Sequence, residues 1–307
     1  MSVQSIGPFS NFKTNFNKTS SMATNPQQVQ NNANESGKNS KKTAAIIGGV
    51  AALAILGTGA LVAIKRHKVP NEIKTALNNF EETNKAASSL IESAQKQTDE
   101  IMESGKKLFD EVTELFKKGD EIAPDGKVLR KITSDDAEKI MEEFSQDGKL
   151  FRKSTFVNDI LDNTQEGFEE LPDGTKKIAK GIDFLEDGKP YYYMEDFKEL
   201  ADGSKKIAKG IGFEDGMPSW YAEGYEELAD GSRKVAKRIG FEDEMPSWYQ
   251  EGYEELADES RKIAKRIDFE DGTPSWYAEG YEELADGLEK IAKEYELTKK
   301  GWQKVSE

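Results

Sequence analysis

Three groups of side chains in this sequence are equipped for chemistry or recognition. The first is carboxylate. There are 58 Asp and Glu among 307 residues, ample for acid–base work of the glycosidase kind, which places two carboxylates about one bond. Because they recur in repeats, no single pair stands apart, and a sheet without a deep pocket excludes water poorly. The second group is aromatic. Trp220-Tyr221, Trp248-Tyr249 and Trp276-Tyr277 follow one another at 28 residues, and Tyr225, Tyr253 and Tyr281 keep the same interval. Trp and Tyr give large, rigid contact area with a polar handle. A ladder of them suits a repetitive polymer or several weak contacts in parallel. The plainer reading is that they are cross-strand aromatics that hold a sheet together. The third group is the Glu-Asp-Gly turn, such as Glu214-Asp215-Gly216. It lacks the dense oxygen spacing of calcium loops, so no metal site is expected.

Other chemistry is excluded by composition. The chain has no cysteine and one histidine, His67. Disulfide scaffolds, thiol nucleophiles, Cys/His zinc sites and Ser-His-Asp triads inside a fold all need residues that are missing. The reading is non-enzymatic, with no cofactor.

Charge is divided unevenly. Residues 1–68 hold eight basic side chains and one acid, a balance of +7, and the remainder holds 35 basic and 57 acidic, a balance of −22. So acidic a segment repels phosphate backbones, and nucleic-acid binding is not expected.

The elements that must position these groups begin after a polar tail, residues 1–43, rich in Asn, Ser, Gln and Thr and read as disordered. Residues 44–64 form a run of 21 without charge, and a helix of that length covers roughly 30 Å, the hydrocarbon thickness of a bilayer. Lys41 and Lys42 flank one end, and Lys65, Arg66, His67 and Lys68 the other, as headgroup anchors do. The run reads as a transmembrane helix, with a cleaved signal peptide ending near Ala60 as the competitor. The expected localisation is a single-pass membrane protein in contact with the lipid bilayer. Its array is placed on the outer side.

Residues 69–119 read as a heptad helix. A 4-3 spacing joins Ile73, Leu77, Phe80, Asn84, Ala87 and Ile91 and continues through Ile101 and Leu108 to Leu115. That spacing makes helices supercoil. Three readings are open: a coiled-coil homo-oligomer through residues 73–115, packing on the chain's own sheet, or a helix lying on the bilayer.

Residues 164–297 are a 28-residue repeat array. Gly224-Tyr225-Glu226-Glu227-Leu228-Ala229-Asp230 returns at Gly252 and Gly280, and turn aspartates fall at 173, 187, 202, 215, 230, 243, 258, 271 and 286. Asp-Gly between alternating residues signals a β-hairpin. Placing Asp230-Gly231 in a two-residue turn sets Glu227 against Lys234, Tyr225 against Ala236 and Trp220 against Phe241. Asp243 and Asp258 are followed by Glu, so those turns should be strained or looser. Residues 120–163 read as degenerate hairpins, with Asp135–Phe144 open between strand and short helix. Residues 298–307 read as a C-terminal cap. The fold class expected is therefore α+β: a single transmembrane helix, a long heptad helix, then an elongated antiparallel β-hairpin array.

The aromatic-Gly and Asp-Gly-Lys hairpins of residues 120–295 resemble bacterial MORN-like repeat proteins, including those with YwqK-type antitoxin repeats. The 28-residue period is longer than the family's, and Gly-Tyr reverses its Tyr-x-Gly order. The resemblance implies a sheet used for contacts, without catalysis of its own. A fainter similarity, through Ser219-Trp220-Tyr221 and its copies, is to choline- and cell-wall-binding repeats. The expected function is a membrane-anchored repeat protein that presents an acidic sheet for protein binding or scaffolding. Alternatives are an envelope-polysaccharide module and an antitoxin-like partner, so the ligand is a protein or a polysaccharide.

Overall fold

Asp and Gly set the hairpins of this chain through two different turn geometries, and the choice between them decides which side chains meet. The computed structural model describes residues 71–135, 138–298 and 301–305. It contains one described helix, α1 (Asn71–Lys118), followed by strands β1 (Glu121–Ile122), β2 (Val128–Asp135), β3 (Glu138–Phe144), β4 (Leu150–Val157), β5 (Ile160–Glu166) and β6 (Glu169–Glu170). The regular array continues with β7 (Lys176–Phe184), β8 (Pro190–Glu199), β9 (Lys205–Glu214), β10 (Met217–Glu227), β11 (Arg233–Glu242) and β12 (Met245–Glu255). It closes with β13 (Arg261–Glu270), β14 (Thr273–Glu283), β15 (Glu289–Thr298) and β16 (Gly301–Lys304). All belong to one 16-stranded antiparallel sheet in sequence order, with β6 to the side, pairing β7. Of the segment from Asp135 to Phe144, the described residues are strand and not helix: Asp135 ends β2, and Glu138–Phe144 form β3.

This corrects the expected fold class. The described architecture is a single large sheet with one amphipathic helix, not a transmembrane helix followed by a free heptad stalk. Among the described residues no helix is long and apolar enough to cross a membrane. The transmembrane, single-pass and outer-side readings are withdrawn on that finding. The run at 44–64, its flanking Lys41, Lys42, Lys65, Arg66, His67 and Lys68, and the polar tail lie outside the described residues.

At one end of the array the β9–β10, β11–β12 and β13–β14 turns are two residues long, while β7–β8 closes with a longer loop in which Gly188 N donates to Leu185 O at 2.9 Å. Asp215 and Gly216 have φ of 52° and 82°, and Asp271 and Gly272 of 49° and 71°, the pair of positive angles that a type I′ turn requires. At the other end the loop is three residues. Gly231 N donates to Leu228 O (2.9 Å), Leu228 N donates to Ser232 O (2.8 Å), and Gly231 takes φ 84°. That is a type I turn closed by a glycine bulge. Asp230 Oδ1 accepts from Ser232 N (2.9 Å) and Oγ (2.6 Å), which fixes the loop.

The extra loop residue moves the register by one from the two-residue expectation. Glu227 pairs with Arg233, Glu226 with Lys234, Tyr225 with Val235 and Trp220 with Gly240. Opposite charges still meet, because acidic and basic residues occur in adjacent pairs on both strands. Trp220 now faces Gly240 across β11, as it faces Gly212 across β9, and its ring lies over Gly212. A Cβ on Gly212, in the neighbouring strand, would stand 2.2 Å from the Trp220 indole nitrogen, and one on Gly240 would stand 2.3 Å from that of Trp248.

Helix α1 covers one face of the sheet. Phe80, Ala87, Ile91, Ala94, Ile101 and Val112 are buried in a cluster with Tyr221, Tyr249, Tyr277, Ile211, Ile239 and Ile267. These are seam positions of the heptad, so the coiled-coil reading is corrected: the apolar stripe packs on the chain's own sheet. Gly105, a seam position without a side chain, lies against Pro190 at the start of β8. A Cβ there would lie 2.4 Å from Pro190 Cγ.

A crease crosses the sheet. Gly224, Gly252 and Gly280 have φ of 66°, 61° and 64°, and Asp196, at the same place one repeat earlier, has 52°. Left-handed residues in mid-strand break the alternation of faces. The break is visible at Arg238, whose partner across β12 is Gln250, while Tyr253 pairs with Val235. An odd separation of three residues would put Arg238 and Tyr253 on opposite faces of a regular strand. Here the guanidinium lies 3.5 Å from the Tyr253 ring centroid. The crease thus folds a second apolar layer away from α1, in which Ile178, Phe197, Ile207, Tyr225, Val235 and Tyr253 are buried.

Candidate functional site

The nine aromatic residues of the expected ladder separate into two sets. Tyr221, Tyr249 and Tyr277 are 0%, 0% and 1% exposed beneath α1. Their hydroxyls donate to Glu223 (2.9 Å), Glu251 (2.8 Å) and Glu279 (2.9 Å), two residues on. Trp220, Trp248 and Trp276 point to the other face with Tyr225, Tyr253 and Tyr281. Trp220 is buried and Trp248 and Trp276 are half-buried. Tyr225 and Tyr253 donate to Glu227 and Glu255, each at 3.0 Å, and Tyr281 to Glu289 at 2.8 Å. No row of six aromatic rings is left open to a ligand. The sequence marked the residues that repeat, and the repeat is first of all a packing unit.

Charge runs across the strands in the second layer. Lys205 pairs with Glu227 (3.4 Å), Arg233 lies between Glu227 (3.8 Å) and Glu255 (3.4 Å), and Arg261 pairs with Glu283 (3.3 Å). An outer rung joins Lys206 to Glu226, Lys234 to Glu254 and Lys262 to Glu282. Such half-exposed cross-strand pairs contribute about 0.2–1 kcal/mol each. Arg238 is the buried member of this layer. It lies over the Trp248 ring at 5.3 Å and donates from Nε to Gln250 Oε1 (2.7 Å). Burial pushes its pKa down to about 10, which still leaves the cation intact at neutral pH. Burial also pushes the Tyr253 hydroxyl up to about 12, and raises Tyr221, Tyr249 and Tyr277 above the ordinary tyrosine range.

The strongest polar cluster was not marked by the repeats. Arg152 on β4 is buried and engages Glu143 on β3 through two hydrogen bonds, with Glu111 on α1 at 2.9 Å and Glu166 on β5 at 3.5 Å. Burial alone would lower its pKa, and the hydrogen bonds and charges of Glu143 and Glu111 outweigh that and raise it. Only the tertiary fold brings these four together, since they come from four elements. Beside them a cleft of about 370 Å³ opens between α1 and β5, β7 and β8, lined by Glu100, Lys107, Glu111, Glu166, Lys180 and Glu195 among others. It is wide and mixed in charge. Among the described residues no group of His, Cys, Asp and Glu is arranged to hold a metal.

No protein-family model matches the chain, and no curated protein matches it. Among solved structures it is similar to a mutant of S. aureus TarM in complex with fondaparinux, alpha-GlcNAc-glycerol and UDP, at 14% identity and TM-score 0.29, over 45% of this chain and 28% of that one. A further TarM crystal structure matches at 15% identity and TM-score 0.20, over 35% and 17%. A porin-like protein from Bacteroides uniformis matches at 10% identity and TM-score 0.15, over 57% and 94%. The chain thus spans little more than a quarter of the first of these, and likenesses of this size carry no argument about its function.

Proposed function

We propose that the chain is a non-catalytic repeat scaffold whose acidic surface binds a basic protein segment. One observation carries the reading: each 28-residue unit turns its aromatic side chains inward and repeats an acidic turn outward. Glu214-Asp215, Glu242-Asp243-Glu244 and Glu270-Asp271 occupy successive turns at one end of the strands, two strands or about 10 Å apart. Evenly spaced like charges on a rigid support favour a partner with several weak basic contacts. The balance of −22 over residues 69–307 acts in the same direction. The resemblance to MORN-like repeats supports the same class of role.

The test is calorimetric titration with a lysine-rich peptide at low and high salt. Asp215→Asn, Asp243→Asn and Asp271→Asn remove charge while keeping a residue that tolerates positive φ. Binding should weaken with each substitution and with added salt. Affinity unchanged in the triple variant would sink the proposal.

A further inference from the structure

The contacts of α1 repeat with the period of the sheet beneath it. Near its start, Phe80 meets Tyr277 on β14 at 5.5 Å between ring centroids, and Asn79 Nδ2 donates to Glu279 Oε1 at 2.8 Å. Farther on, Ile101 and Glu100 share the walls of one cleft with Tyr193 and Glu195 on β8. Phe80 to Ile101 is 21 residues, three heptads, and Tyr193 to Tyr277 is 84, three repeats. Asn79 to Glu100 and Glu195 to Glu279 give the same two numbers. Between them, Gln97 stands by the Tyr221 hydroxyl and Thr83 by that of Tyr277, 14 helix residues for 56 array residues.

The lengths agree with this count. Seven helical residues rise about 10.5 Å, and two strands of a sheet span about 9.6 Å. The two close if the helix is inclined by roughly 24° to the direction of strand stacking. A heptad is therefore what a helix needs in order to return the same side chain to every second strand, with no supercoil involved. The geometry points to α1 as an internal ruler, one heptad for each two-strand repeat, that fixes how many hairpins the array carries.

At both ends the ruler is pinned. Phe80 packs on Trp302 at 4.5 Å and Phe116 stacks on Phe156 at 3.9 Å. A change in hairpin number without a matching change in the helix must break one of these contacts. Three variants of the full chain test the coupling: tandem duplication of residues 224–251, tandem duplication of the heptad 87–93, and both together. Thermal unfolding gives the midpoint, and hydrogen exchange reports protection along α1. Each single duplication should lower the midpoint by about 5 °C or more and strip protection from one end of the helix. The matched pair should return to within about 2 °C of the parent, with both ends protected. The ruler is refuted if the array duplication alone keeps the parental midpoint and a fully protected helix. It is equally refuted if the matched variant is no better than the singles, or does not fold.

Discussion

Glu244 and Glu259 occupy left-handed backbone positions, φ 68° and 67°, where other units carry glycine, with φ 82° at Gly216 and 84° at Gly231. A side chain there costs about 1 kcal/mol or more, and glycine offsets part of that through the greater entropy of its unfolded chain. Glu259→Gly should raise stability by about 0.5–1 kcal/mol in urea unfolding. No gain would mean that the glutamate makes a compensating contact. Arg152 is the opposite kind of residue, with a side chain 7% exposed beside Glu143 at 9%. Arg152→Ala leaves that carboxylate buried without its cation and should cost about 3–5 kcal/mol. Arg152→Met with Glu143→Leu should recover most of the loss, because apolar replacement of a whole buried pair is close to neutral or better. A double variant as unstable as the single would show that Glu111 and Glu166 need the arginine independently.

At the scale of elements, the helix and the sheet meet through Gly105. Alanine in a helix interior is favoured over glycine by about 1 kcal/mol, yet here its Cβ would stand 2.4 Å from Pro190 Cγ. Gly105→Ala should therefore destabilise, and adding Pro190→Ala should restore stability above the sum of the single effects in a double-mutant cycle. Additive single effects would place the clash elsewhere. The tyrosine row beneath α1 sets an alkaline limit. Burial holds the Tyr221, Tyr249 and Tyr277 pKa values above the ordinary 10.0. A folded pKa raised above the unfolded one gives stability that is complete below pH 10 and is lost as pH rises through the folded value. Denaturant midpoints should thus fall above pH 10, and Tyr249→Phe should make that fall shallower.

For the whole molecule the acidic turns set the other limit. Asp202, Asp230 and Asp258 lie below their ordinary 3.8, held down by the Ser204, Ser232 and Ser260 hydroxyls and then by the backbone N–H groups of the same residues. A depressed carboxylate contributes stability that is present above the unfolded pKa and is lost as pH falls through the folded one. Stability should decline below about pH 4, and Asp230→Asn with Asp258→Asn should flatten that decline. An unchanged acid profile in the double variant would assign acid sensitivity to other carboxylates. Because each repeat touches mainly its neighbours, such losses should spread along the array.

The hairpins were legible in the linear pattern because Asp-Gly, the strand residues and the 28-residue interval are all local or nearest-neighbour properties. Helix α1 was legible for the same reason, as a 4-3 seam. Register was not: two- and three-residue loops share the Asp-Gly signature, and Gly231 N to Leu228 O, not composition, selects the longer one. The partner of the seam was not legible either, since Phe80 and Ile101 fit a second helix and a row of tyrosines equally well by hydrophobicity. Arg152 gathers Glu111, Glu143 and Glu166 from elements up to 55 residues apart, a meeting that no spacing rule announces. Local chemistry wrote the strands and the helix. Tertiary packing chose the faces, because burial is a property of what lies opposite and not of the residue itself.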